Sequence, residues 1–121
     1  MGGIRVASEP KLKAKLFVHA AIRRCGIEAI PAVVARKGDE DAGTILVKVN
    51  RCDGTAEVYT QARDGTGRLG WLKSTGAEPV DDSRAEAVIA RARDVDYDLW
   101  VIEVDSRDGR VPFIDHVLAV R

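Results

Sequence analysis

Three aspartates at alternate positions are the first candidate ligands for a metal ion. Asp94, Asp96 and Asp98 supply oxygen ligands of the kind that hard divalent cations prefer, and their spacing opens an EF-hand calcium loop. That loop needs glycine at its sixth position and glutamate at its twelfth, where this chain has Leu99 and Asp105. The sequence therefore excludes an EF-hand. It leaves a looser divalent-metal site, or a polar connection whose aspartates cap backbone amides.

A basic ridge is predicted on the first helix. Lys11, Lys15, His19 and Arg23 follow one another at intervals of four residues, with Arg24 beside them. Such a ridge could bind nucleic acid, a phosphate or an acidic protein surface. A solvent-exposed face is the simpler interpretation, since exposed charges contribute little. A third is contact with the acidic stretch 94–108, within one molecule or across a dimer.

Residues 65–70 spell the G-x-G-x-x-G pattern of dinucleotide-binding loops. That function requires the glycines to lie between a strand and a helix, so that the helix N-terminus holds the pyrophosphate. The residues that follow, Trp-Leu-Lys at 71–73, are typical of a strand. We therefore interpret these glycines as turn residues and expect no cofactor.

The two cysteines and two histidines do not have the short spacing in sequence that is typical of zinc ligands. His19, Cys25, Cys52 and His116 could supply four zinc ligands, but no pair has the short separation typical of zinc sites. Two cysteines are too few for a disulfide framework, and residues 1–6 do not begin a secretion signal. We expect reduced thiols and a cytoplasmic location. No catalytic residue can be assigned, which favours a protein that is not an enzyme.

Composition is that of one ordinary globular domain. The chain has 121 residues, of which 45% are hydrophobic, and 19 Lys and Arg balance 19 Asp and Glu. Zero net charge excludes a protein that coats nucleic acid or anionic lipid by bulk charge. No apolar run approaches the roughly 18 to 20 residues of a membrane span. We expect residues 1–9 to be a tail and residues 10–121 to form a single globular domain.

Apolar periodicity predicts two helices. Over residues 10–25 apolar side chains recur at i, i+3 and i+4, and Gly26 can end the helix. Alternation within residues 11–16 would also suit a short strand. A second helix is predicted from Ser83 to about Arg93, begun by a capping box between Ser83 and Glu86.

Short apolar runs and alternating segments, separated by turn residues, predict the strands. Residues 31–36, 44–51, 55–63 and 68–74 predict four antiparallel strands in sequence, with an Asp53-Gly54 hairpin turn. Residues 99–104 predict a strongly apolar strand that could pair in parallel, and residues 111–114 a strand that Pro112 places at an edge. Together these elements predict an α+β fold. It is a single domain with a mostly antiparallel meander sheet of five or six strands and two helices packed on one face.

Several segments together resemble a family of short bacterial proteins classed as a domain of unknown function. They are KAKLFVHA at 13–20, the VKVNR strand at 47–51 with its Asp-Gly turn, Trp71 ahead of TGAEP at 75–79, and DYDLWVIEV at 96–104. The resemblance covers nearly the whole chain after residue 10. It implies no established activity, cofactor or catalytic residue.

Three classes of function follow, in order of preference. The first is a non-catalytic binding or assembly module, either a homo-oligomer or a partner of another protein, favoured by the weak catalytic signals and the opposite charge of the two chain ends. The second is a small divalent-metal-dependent enzyme that uses Asp94, Asp96 and Asp98. The third is a nucleic-acid accessory factor that uses the basic ridge. We expect no association with membranes, and nucleic acid is the least favoured partner.

Overall fold

Two helices and six strands make up the part of the chain that the computed structural model describes, residues 13–118. In chain order they are α1 (Ala14–Ile27), β1 (Ala32–Arg36), β2 (Ile45–Asn50), β3 (Thr55–Arg63), β4 (Leu69–Lys73), β5 (Val80–Asp81), α2 (Asp82–Val95) and β6 (Trp100–Asp105). The tail assigned to residues 1–9 lies outside the described residues, as does Lys11. The predicted α+β class and single domain are confirmed.

The strands form one mixed sheet in the order β1-β6-β2-β3-β4, with β5 paired to the start of β3. The predicted meander is confirmed for β2, β3 and β4, which pair antiparallel in succession. Pairing of the first strand with the second is wrong, because β6 inserts between them, parallel to β2 and antiparallel to β1. Trp100, Val101 and Ile102 are all buried, so β6 is apolar on both faces and fits only the interior of a sheet.

The prediction that both helices pack on one face of the sheet is wrong. In β2, Val47 belongs to the core beneath α1 with Val18, whereas its neighbour Leu46 belongs to the core beneath α2 with Ile89. Successive side chains of a strand point to opposite faces, so the two helices lie on opposite sides of the sheet. Both faces of β2 and β6 are apolar, and each face needs a helix to cover it.

The first helix carries the predicted stripe, with Val18, Ala21 and Cys25 buried. It does not end at Gly26, which is helical. The left-handed residue is Ala29, with φ of 59°. The amide of Ile30 donates to the carbonyl of Cys25 (2.9 Å), which is the bond of a Schellman cap.

The second helix does not use the predicted capping box. It begins at Asp82, and no side chain caps its first turn. Asp82 and Glu86 instead accept hydrogen bonds from the buried ammonium of Lys48 on β2, each at 2.6 Å. Burial opposes the charge of Lys48, but these two carboxylates outweigh it and raise the pKa of Lys48.

The G-x-G-x-x-G stretch is a hairpin between β3 and β4, as interpreted from the sequence. Asp64 closes this turn by accepting bonds from the amides of Thr66 (2.8 Å) and Arg68 (3.0 Å). Gly67 has φ of 87°, which favours glycine. Gly70 is buried against the backbone of His116, and the absence of a Cβ lets the two segments approach closely.

Alanine at the two ends of this glycine pattern should differ in its effect on stability. A Cβ at Gly70 would lie 2.8 Å from the carbonyl oxygen of His116, which is backbone and holds the amide of Trp71. We expect Gly70→Ala to lower the free energy of unfolding by about 1–3 kcal/mol. A Cβ at Gly65 meets nothing within 4 Å, so Gly65→Ala should stay within about 0.5 kcal/mol of the parent. Denaturant unfolding measures both, and equal losses would contradict this packing.

Candidate interaction surface

The three aspartates predicted as possible metal ligands do not form one ligand set. Asp96 accepts hydrogen bonds from the amides of Thr44 and Asp98, both at 2.9 Å, while Asp94 and Asp98 are exposed. The bond from Thr44 is the main cause that lowers the pKa of Asp96. Within residues 13–118, no group of three or more His, Cys, Asp or Glu side chains is placed to hold a metal ion. Asp96 therefore caps backbone amides, which was the alternative interpretation.

Replacing Asp96 tests this capping role. A carboxyl whose pKa is lowered in the folded state stabilises the protein above its unfolded pKa, and this stability is lost as the pH falls through the folded value. We expect Asp96→Asn to lower the free energy of unfolding by about 1 kcal/mol at pH 7, and the difference to shrink below about pH 4.

Asp94→Asn is the matched control. Asp94 is exposed on the last turn of α2, so its substitution should stay within about 0.5 kcal/mol of the parent. Denaturant unfolding at pH 7 and at pH 3 gives both comparisons. An equal loss in the two variants, or a loss at Asp96 that does not change with pH, would contradict a capping carboxylate.

Among the described residues, the basic ridge meets acidic side chains near the start of α1 and not along the rest of the helix. Lys15 lies 3.7 Å from Glu40, and the neighbouring Lys13 lies 3.5 Å from Asp41. Both carboxylates belong to the loop between β1 and β2, not to the acidic stretch 94–108. His19, Arg23 and Arg24 are exposed along the rest of the helix. Exposed ion pairs of this kind contribute little to stability.

The four possible zinc ligands occupy four different environments. Both cysteines are free: Cys25 lies on the buried face of α1, where burial raises the pKa of its thiol, and Cys52 is exposed in the turn after β2. His19 is exposed on α1. His116 lies 3.2 Å from a carboxylate oxygen of Asp64.

The contact between His116 and Asp64 was not predicted from the sequence. The same carboxylate accepts bonds from the hydroxyl and the amide of Thr66, and the Thr66 hydroxyl is the main cause that lowers the pKa of Asp64. Because Oδ1 accepts the turn bonds and Oδ2 faces His116, this aspartate ties the C-terminal segment to the β3–β4 hairpin. No sequence pattern signals the pair, because 52 positions separate the two residues.

Among the described residues, β1 ends the sheet with one of its two edges unpaired. The amide of Asp105 donates to Pro31 (3.0 Å), whereas the amide of Trp100 donates to Thr44 on the β2 side (2.8 Å). Odd residues of β6 therefore bond β1, and Val33 pairs with Glu103. Because the bonding direction alternates along a strand, Ala32 and Val34 point their N–H and C=O groups away from the sheet. Within residues 13–118 these groups have no hydrogen-bond partner.

Apolar side chains flank this open edge. Val33 is 60% exposed and Val34 is 38% exposed. Tyr97, at 79% exposure, stacks its ring against the guanidinium of Arg36 at 5.3 Å, and Arg36 also donates to the carbonyl of Leu99. We call β1 together with Tyr97 the β1 edge surface.

The two ends of the sheet differ. At β4 the C-terminal segment covers the edge, since the amide of Trp71 donates to His116 (2.9 Å) and the amide of Leu118 donates to Trp71 (2.8 Å). Proteins protect an open edge with charges, proline or a bulge. In β1, Pro31 precedes the strand and a bulge interrupts it between Val34 and Arg36, but residues 32–34 carry no such protection.

The fold defines the chain as a small α+β protein with a mixed sheet between two helices. A family model described as a protein of unknown function, DUF1491, matches residues 12–114. The chain belongs to this family, which confirms the resemblance found in the sequence. Neither helix in the described part of the chain is long and apolar enough to cross a membrane.

Three solved structures, two of them of this family, are similar to this fold. The crystal structure of a DUF1491 family protein from Caulobacter crescentus CB15 has a TM-score of 0.77 and 37% identity, over 89% of this chain and 100% of that one. An NMR structure from the same organism gives 0.76 and 36%, over 92% and 100%. Protein Atu0922 from A. tumefaciens gives 0.72 and 26%, over 93% and 98%. No curated protein matches the sequence significantly.

Proposed function

We propose that this protein is a non-catalytic binding or assembly module that takes up a partner's β-strand at the β1 edge surface. The observation that carries the proposal is the set of backbone groups at Ala32 and Val34 that have no partner among residues 13–118, flanked by exposed valines. Strand addition uses such an edge, because main-chain hydrogen bonds supply affinity and alternate side chains supply specificity.

The surroundings of β1 support this function. Removal of the apolar side chains of Val33 and Val34 from water by a partner lowers the free energy of the complex. Arg36 and Tyr97 hold each other in place at one end of the strand, so less side-chain freedom is lost on binding. Two carboxylates that could otherwise be reactive groups, Asp96 and Asp64, accept hydrogen bonds from backbone amides of the fold.

We place this function in the cytoplasm. Both cysteines are free, and the exposed one, Cys52, lies in a turn where an oxidising compartment would leave it open to disulfide exchange. Reduced conditions keep such a thiol unpaired.

Site-specific photo-crosslinking in cells of the source organism tests the proposal. A photoreactive benzoylphenylalanine in place of Val33 should give defined crosslinked products, identified by mass spectrometry. The same group in place of Leu72 should not, because Leu72 has a similar apolar character and 36% exposure but lies on β4 at the far end of the sheet. No product at position 33, or the same products at both positions, would argue against an interaction at β1.

A further inference from the structure

The geometry of β1 points to a second copy of this chain as the partner. We infer that two β1 strands pair antiparallel about a two-fold axis that passes beside Val33, so that two sheets join into one. This inference rests on the proposed function and adds the identity and the register of the partner strand.

Backbone directions select the register. A two-fold axis normal to the sheet keeps every side chain on its own face, so only residues on the same face can lie opposite each other. With the axis beside Val33, Ala32 of one copy lies opposite Val34 of the other, and both direct N–H and C=O groups outward that are unpaired within the described part of the chain. Two such pairs give roughly four new hydrogen bonds.

Side chains fit the same register. Val33 of each copy lies opposite Val33 of the other in a non-hydrogen-bonded pair, where side chains approach most closely. Each Val34 meets the small Ala32. An axis beside Val34 would instead set Ala32 opposite Arg36, across the bulge that interrupts β1, so that pairing would break after Val34.

Overall charge does not oppose this pairing. Because 19 Lys and Arg balance 19 Asp and Glu, zero net charge on the chain gives no general repulsion between two copies.

Association of the purified chain is the first test. We expect sedimentation velocity to show a reversible monomer–dimer equilibrium that depends on concentration. Val33→Asp and Val33→Lys should each weaken the dimer about tenfold or more, because each sets like charges opposite each other. An equimolar mixture of the two should recover it. Leu72→Asp is the control and should not change the equilibrium, and circular dichroism checks that each variant is folded.

Disulfide trapping tests the register. In a Cys52→Ser background, Val33→Cys should form a disulfide dimer with oxidised glutathione, since paired Cα atoms lie about 4.5 Å apart at such a position. Val34→Cys and Leu72→Cys should stay largely monomeric. Preferential trapping at position 34, or equal trapping at all three, would overturn the register. A purified chain that stays monomeric at millimolar concentration overturns self-association. In that case crosslinks from position 33 to a different protein in cells would leave the proposed function standing, and no crosslinks would remove both.

Discussion

The parallel pairing of β2 and β6 is the constraint on which the rest of the structure depends. Both strands are apolar on both faces, with Val47 and Ile102 directed to one side and Leu46 and Val101 to the other. Two buried faces need two covering layers, so α1 and α2 must lie on opposite sides of the sheet. The parallel direction also needs a long connection, which the meander and α2 provide.

Insertion of β6 at the centre of the sheet has a consequence at its margin. Because β6 occupies the position beside β2, β1 can bond only to β6 and becomes the end of the sheet. At β4 the chain's own C-terminal segment covers the opposite end through Trp71. The pairing that completes the core therefore also creates the open edge that we propose for binding.

Polar residues with the types expected of reactive sites serve as connections between distant segments. Asp96 joins the turn after α2 to the residue before β2, and Asp64 joins a hairpin to His116. Lys48 lies buried beneath the start of α2, and its ammonium forms ion pairs with the carboxylates of Asp82 and Glu86 on that helix. A buried charge is tolerated only with such partners, and the partners are thereby committed to the fold.

The sequence by itself determined the features that depend on near neighbours. The buried stripe of Val18, Ala21 and Cys25 follows from helical periodicity, and the hairpin after β2 follows from Asp53 and Gly54, whose turn bonds span only a few residues. Strand order, the opposite placement of the helices and the partner of Asp96 were decided by tertiary structure alone. Backbone hydrogen bonds between strands are the same for every residue type, so the apolar runs predict that β1 and β6 are strands but not that they pair. Only when the apolar faces of β2 and β6 are buried together does one order become the most stable.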